Sequence, residues 1–169
     1  AWVWIAHSDN LNRTDIAIGA TWWLLLAPLW LIRFEFAAAP SSRNRWLKAI
    51  AATISVVPAW IAAVVLHGSS PRGPEWLLFV LLLVWCADTA AYFAGRRFGR
   101  TKLAPKISPG KTRAGAGGAL IGCAAFATLG GWWLNHEGQT LVALILLSLI
   151  TVMYSIVGDL FESLLKRHS

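Results

Sequence analysis

Three groups of charged residues have types and positions that could do chemistry. Asp88 lies inside an apolar run, and the stretch Gly95–Arg113 that follows holds seven of the fifteen Lys and Arg residues of the chain. Asp159 and Glu162 follow the last apolar run. Carboxylates bind Mg²⁺ together with substrate phosphates, and cations neutralise the remaining phosphate charge. This combination predicts phosphoryl or nucleotidyl transfer at a membrane surface.

Asp88 is the acid within an apolar segment. An ionised Asp near the centre of a membrane costs roughly 2.5–3.5 kcal/mol on insertion scales, so it usually faces a polar cavity or a charged partner. On a helix, Tyr92 and Gly95 would share its face. The residue type leaves two interpretations open. Either Asp88 holds a cation or orients a ligand, or it is structural, as an ion-pair partner of Arg96 or as a helix-end residue at the interface.

The basic stretch ends in SPGKT, directly before a predicted helix. Backbone N–H groups at that helix start, together with Lys111 and the hydroxyls of Ser108 and Thr112, would form an anion site. A positive loop that contacts anionic lipid is the alternative. A GxxxxGK[ST] phosphate-binding loop is excluded, because Pro105 stands where the first Gly is required and no strand is expected before it.

The end of the chain carries a charged helical pattern. Asp159, Glu162 and Lys166 fall on one helix face, and Glu162 and Lys166 form an i,i+4 pair in the favourable order. A solvated face explains this pattern equally well as a site in which Asp159 binds a divalent cation with help from Asp88.

Composition decides the class of protein. The chain is 57% hydrophobic and only 14% charged, with eleven Trp residues, whereas soluble domains carry about a quarter charged residues. Several apolar runs approach the ~20 residues of a membrane-spanning helix. We predict an all-α polytopic membrane protein forming a single membrane domain over residues 1–169. The predicted spans are 15–32, 47–66, 76–93, 114–134 and 140–157, with a basic loop at 95–113 and a helix end at 158–167.

The distribution of cations predicts the orientation. Thirteen of the fifteen Lys and Arg residues fall in the loop 33–48, the loop 95–113 and the tail, whereas the opposite side holds only Arg13 and Arg72. The positive-inside rule places the first group in the cytoplasm. The net charge of +7 is therefore explained by topology and lipid contact, and we expect no nucleic-acid partner.

Three segments together resemble one known family. WCADTAAYFAGRRFGRTKLAPKISPGKT, then GAGGALIG, then SIVGDLFESLLKR is similar to bacterial phosphatidate cytidylyltransferase, the CDP-diacylglycerol synthase, over most of residues 76–167. The resemblance implies transfer of a cytidylyl group from CTP to phosphatidic acid, with Mg²⁺ as cofactor and pyrophosphate as second product. It also implies a multi-pass protein of the bacterial inner membrane with its site facing the cytoplasm. Membrane lipids are further expected partners, and a homodimer is left open.

The resemblance also implies roles for individual residues. The implied catalytic residues are Asp88, Lys111, Asp159, Lys166 and Arg167, and the implied substrate-binding residues are Ser108, Lys111, Thr112, Arg96, Lys106 and Glu162. Asp159 and Asp88 are the candidate metal ligands. The family's C-terminal signature continues beyond Arg167 with further aspartates, which are its expected main metal ligands. We therefore expect this chain to be a fragment, lacking N-terminal spans as well, that is inactive by itself.

Two other classes of protein fit the residues. A CTP-dependent polyprenol or phytol kinase would share the acid and the basic loop but would transfer the γ-phosphate. A non-catalytic transport or assembly subunit would need no nucleotide. The reaction products distinguish the lipid kinase from the synthase. Loss of CTP binding on substitution of Lys111 would argue against the non-catalytic subunit.

Overall fold

The computed structural model describes residues 9–33, 35–37, 39 and 41–167. They belong to two compact units, Ala1–Leu78 with Phe161–Ser169, and Phe79–Leu160. The helices are α1 (Asp9–Thr21), a π-helical segment (Trp22–Leu26), α2 (Ala27–Ile32), α3 (Ser42–Gly68), α4 (Gly73–Phe98), α5 (Arg113–Trp133) and α6 (Gly138–Arg167), and the strands are β1 (Lys102–Ala104) and β2 (Ser108–Thr112).

Five helical stretches in the described residues are long and apolar enough to cross a membrane. This confirms the all-α polytopic membrane class. The helices extend past most of the predicted spans, because an apolar window ends where charged residues begin, whereas helical hydrogen bonding continues through them. The candidate spans are Arg13–Ile32, Ser42–Gly68, Gly73–Phe98, Arg113–Trp133 and Gly138–Arg167.

An aromatic cluster forms the core of the first unit. The buried ring of Phe161 packs edge-on against Trp22 and Trp30, with ring centroids 5.6 Å from each. The indole Nε1 of Trp22 donates a hydrogen bond to Ser55 Oγ at 3.0 Å. Edge-to-face rings stabilise a cluster beyond the area they bury, and the bonded N–H removes the cost of burying the indole. These contacts fix α3 and the end of α6 around the π-helical segment.

The π-helical segment precedes Pro28. Pro28 has no N–H to donate to the carbonyl four residues earlier, and the N–H of Ala27 instead donates to the carbonyl of Trp22, five residues earlier. The local widening is the expected response of a helix to a proline near its end.

The second unit is held by close packing of α4 on α5. A Cβ on Gly118 would clash with Ala94 Cβ, and a Cβ on Gly122 would lie 2.6 Å from Ala90 Cβ. Glycine is therefore required at both positions for the helix backbones to approach this closely. Gly115 belongs to the same contact, since a Cβ there would lie 3.0 Å from Ala91 O.

The basic loop is more ordered than predicted. Helix α4 continues through Phe98, so a loop beginning at Gly95 is wrong, and β1 and β2 pair as an antiparallel hairpin in which Lys102 lies opposite Thr112. Ile107 N–H donates to Ala104 O at 3.1 Å, which closes a turn with proline at its second position, where its fixed φ is favoured. The expectation that no strand precedes SPGKT is also wrong, since β1 lies before it and SPGKT is itself β2.

Helix α6 runs without a break from Gly138 to Arg167. The segment 158–167, predicted as a helix end after a span that closes at 157, thus lies in the same helix as that span. Gly158 costs a helix only about 1 kcal/mol relative to alanine, and in an apolar environment the helix keeps every backbone hydrogen bond that a break would lose. Asp159 is consequently carried on a rigid continuation of the span.

Candidate active site

A cavity of about 500 Å³ lies within the second unit. Its walls come from α4, the β1–β2 hairpin, α5 and α6. Small residues of α5, among them Gly115 and Ala119, form one side, which leaves room between the elements that carry charge. The charged residues at the cavity are Asp88, Arg96, Lys102, Lys111 and Asp159.

Lys111 and Asp159 form the closest charged pair at the cavity. The Nζ of Lys111 lies 2.7 Å from Oδ2 of Asp159, so β2 and α6 are joined by an ion pair. The Lys111 Nζ atom is buried, and no hydrogen bond of good angular geometry is formed to it within the described residues. We read the contact as an ion pair that leaves the three N–H donors incompletely used. The ammonium can therefore accept a further anionic partner.

Asp88 lies on the α4 wall with Tyr92 and Gly95, as the helical spacing predicts. Within the described part of the chain, Asp88 makes no hydrogen bond or ion pair, so the predicted alternative of an Asp88–Arg96 pair is not what the structure shows. Its carboxylate is repelled by Asp159 and attracted by Lys111. The three side chains thus form one electrostatic group across α4, β2 and α6.

Two further cations line the cavity. Arg96 donates a hydrogen bond from Nη1 to the Tyr92 hydroxyl at 3.3 Å, one helical turn away on α4. Lys102 reaches the cavity from β1. With Lys111 the cavity has three cations against two carboxylates. This excess of positive charge, beside acids able to bind a cation, suits a polyphosphate that arrives with a metal ion.

The remaining predicted site residues lie elsewhere. Lys106 is exposed in the hairpin turn, and Ser108 begins β2 opposite Ala104. Glu162 and Lys166 belong to the first unit, where Lys166 Nζ lies 2.6 Å from Glu162 Oε1 in an exposed ion pair. Arg167 belongs to the first unit as well. The structure thus brings together at the cavity Asp88, Arg96, Lys111, Thr112 and Asp159, out of the larger predicted set.

Sequence reasoning missed two cavity residues with polar side chains, Lys102 and Ser155. Lys102 lies opposite Thr112 in the hairpin, and a hairpin prediction from the Pro105 turn would have pointed to it. Ser155 lies one helical turn before Asp159 and lines the same cavity. Its i−4 spacing from Asp159 was the available signal.

The donor set is compatible with Mg²⁺ bound together with a substrate. The described residues contain no group of three or more His, Cys, Asp or Glu side chains that could hold a metal ion alone. Mg²⁺, however, usually takes one or two carboxylates and completes its coordination with phosphate oxygens and water. Asp88, which forms no ion pair with any residue that the structure describes, and Asp159 could supply those carboxylates.

The helices and the cavity are those of a polytopic α-helical membrane protein with a cation-rich cavity. The profile of the cytidylyltransferase family matches residues 3–169. The chain belongs to the cytidylyltransferase family.

Several curated relatives are named phosphatidate cytidylyltransferase. The chain is 38% identical to that of Haemophilus influenzae, over 91% of the chain and 56% of the relative. It is 34% identical to that of Pseudomonas aeruginosa, over 96% of the chain and 59% of the relative, and 43% identical to that of Brucella melitensis, over 60% and 37%. The chain thus spans little more than half the length of the first two. No solved structure matches it.

Proposed function

We propose that this protein transfers the cytidylyl group of CTP to phosphatidic acid, giving CDP-diacylglycerol and pyrophosphate. The observation that carries the proposal is the group formed by Lys111, Asp159 and Asp88 at the cavity, in a chain of the cytidylyltransferase family. The name of the relatives, phosphatidate cytidylyltransferase, supports a lipid phosphate as the acceptor.

The reaction requires positioning and charge neutralisation more than proton transfer. An oxygen of the phosphatidate phosphate attacks the α-phosphorus of CTP, a new P–O bond forms, and the bond to the β-phosphate breaks with release of pyrophosphate. Because the nucleophile is already an anion, no strong general base is needed. Lys111 would bind the β- and γ-phosphates, and Arg96 and Lys102 would neutralise charge that develops on the leaving group.

Mg²⁺ is the proposed cofactor, held by Asp88 and Asp159 together with phosphate oxygens, and when bound it would supply Lewis-acid stabilisation of the phosphate charge. With Asp159 at the metal, Lys111 would lose its ion-pair partner on α6 and would be available to the nucleotide. Asp159 and Lys111 would thus change partner together when the ligand binds.

The location follows from charge and composition. We infer that the protein lies in the bacterial inner membrane with the hairpin and the cavity mouth at the cytoplasmic face, where CTP is present. The clustering of cations at Arg33–Lys48 and Gly95–Arg113 supports this orientation. Association of two copies of the chain stays a prediction, to be measured by light scattering in detergent.

The test is an assay with CTP labelled at the α- or the γ-phosphate, phosphatidic acid and Mg²⁺ in mixed micelles. The 169-residue chain is compared with a version extended at both ends to the length of the relatives. We expect the extended form to place the α-label in CDP-diacylglycerol and the γ-label in pyrophosphate.

Transfer of the γ-label to lipid would instead identify a lipid kinase. The absence of any CTP-dependent product from an extended protein that is folded would overturn the proposal. Turnover by the 169-residue chain alone would contradict only the expectation that this piece is inactive.

A further inference from the structure

The side chain of Thr112 is enclosed where strand β2 ends and helix α5 begins. Its Oγ1 accepts a hydrogen bond from Gly115 N–H at 3.1 Å, which caps the first turn of α5, and the residue is only 7% exposed. An N-cap oxygen satisfies a backbone donor that the helix itself cannot, and its loss weakens the helix start. Thr112 therefore fixes the junction that directly follows Lys111.

The end of α4 packs against the same side chain. A Cβ on Gly95 would lie 3.0 Å from Thr112 Oγ1, and a Cβ on Gly99 would lie 2.7 Å from Thr112 Cγ2. Gly95 in α4 and Gly99 directly after it thus leave the space that the hydroxyl and methyl groups fill. The hydroxyl oxygen and the methyl group of Thr112 both contact the protein's own backbone.

Strand pairing adds a third constraint at this point. Lys102 pairs with Thr112, and the N–H of Arg113 donates to Thr101 O at 3.0 Å. The backbone on both sides of Thr112 is therefore held by β1 as well as by α4 and α5. Lys111, the preceding residue, has its ammonium buried beside Asp159.

We propose that Thr112 is a positioning residue that does not itself bind the ligand. By fixing the end of β2 against α4 and α5, it holds the Lys111 ammonium at the cavity. This role deepens the proposed function. It rests on that function in one respect, namely that the anion bound by Lys111 is the triphosphate of CTP. It departs from the substrate-binding role that the sequence resemblance implies for Thr112.

A double-mutant cycle separates positioning from direct binding. CTP affinity is measured by calorimetry in the intact, detergent-solubilised protein with Lys111→Met, Thr112→Val and the double variant. Thr112→Val keeps the shape of the side chain and removes the cap oxygen. We expect about tenfold weaker binding for Thr112→Val alone, and less than about a twofold further loss in the Lys111→Met background. Additive losses would mean that Thr112 contacts the ligand and would overturn the proposal.

Two further variants test whether Thr112 fixes the end of β2, without relying on Thr112→Val. Thr112→Ser keeps the cap oxygen, so it is expected to retain affinity within about twofold. Gly95→Ala adds only a methyl group, which would lie 3.0 Å from Thr112 Oγ1. Because this contact displaces the Thr112 side chain, the variant is expected to weaken CTP binding as Thr112→Val does. Gly117→Ala, where a Cβ meets nothing within 4 Å, is the control on α5 and is expected to leave affinity unchanged. Loss of affinity in Thr112→Ser with no effect of Gly95→Ala would contradict the proposal.

The position of Lys111 can also be measured without any nucleotide. Acylation of lysines by an N-hydroxysuccinimide ester is followed residue by residue by mass spectrometry, with the exposed Lys106 as internal reference. We expect Thr112→Val to raise the rate at Lys111 about tenfold or more relative to Lys106, and Thr112→Ser to leave it unchanged. An unchanged Lys111 rate in Thr112→Val would overturn the inference, whereas absence of CTP binding by the unaltered protein would overturn only the proposed function.

Discussion

The Nζ of Lys111 lies 2.7 Å from Oδ2 of Asp159, so the cation of the hairpin and the acid of α6 neutralise each other. A phosphate that binds Lys111 must compete with this carboxylate. The Asp159 side chain is 56% exposed, whereas that of Lys111 is 25% exposed. Asp159 is therefore the partner that can turn away at the lower cost.

Removing the competing carboxylate should strengthen binding of an anion alone. We expect Asp159→Asn to bind pyrophosphate about tenfold more tightly than the unaltered protein when the metal is chelated, because Lys111 then loses its ion-pair partner. Calorimetry with EDTA present checks this. Glu75→Gln, which breaks the exposed Arg72–Glu75 pair, is the matched control and should change nothing. Equal or weaker pyrophosphate affinity in Asp159→Asn would show that Asp159 does not compete.

Lys111 is expected to be the main cation for the nucleotide. Lys111→Met keeps the length and apolar stem of the side chain but removes the charge, and activity should fall about 100-fold or more, as for loss of a preorganised group that stabilises transition-state charge. The initial rate of CDP-lipid formation measures this, with Arg72→Gln as a control cation at an exposed position. Activity within a few-fold of the unaltered protein would remove Lys111 from the mechanism.

Asp88 should matter for the metal more than for the nucleotide. Asp88→Asn has nearly the same shape but lacks the charge that attracts a cation, so we expect the Mg²⁺ concentration for half-maximal rate to rise at least about tenfold. Pyrophosphate affinity without metal should stay equal or increase, since a negative charge near Lys111 is lost. An unchanged Mg²⁺ dependence would exclude Asp88 as a metal ligand.

The packing of α4 on α5 predicts different outcomes for two neighbouring glycines. Gly118→Ala places a methyl against Ala94 Cβ and 2.9 Å from Ala90 O, and overpacking of this kind costs about 1–3 kcal/mol. Gly117→Ala meets nothing within 4 Å and should be neutral or stabilising, because alanine favours the helix. Thermal unfolding in detergent compares the two. Equal midpoints would contradict the close approach of the helices.

The local features of the site could be predicted from the sequence. Asp88, Tyr92 and Gly95 share a helix face by spacing alone, and the apolar runs indicate the helices because membrane spans must satisfy their backbone hydrogen bonds internally. The glycines of α5 also indicate close packing through their spacing. Each of these inferences depends on residues within a few turns of one helix.

The hairpin and the ion pair could not be predicted in the same way. The contact of Lys111 with Asp159 joins residues far apart along the chain, and it depends on how the elements of the second unit pack, which no helical or strand period encodes. The pairing of Lys102 with Thr112 is local, but the interpretation of 95–113 as a loop left no place for it. The cap made by Thr112 is an intermediate case, because a Thr before a helix predicts a cap while SPGKT also resembles a ligand-binding segment.

The cavity between α4, the hairpin and α6 is the proposed binding site for CTP. The most direct measurement is an electron-microscopy structure of the intact protein with Mg²⁺ and a non-hydrolysable CTP analogue. We predict a phosphate oxygen within about 3 Å of Lys111 Nζ, with Asp159 turned away from the lysine. Nucleotide density at another place, with the Lys111–Asp159 pair intact, would contradict the account.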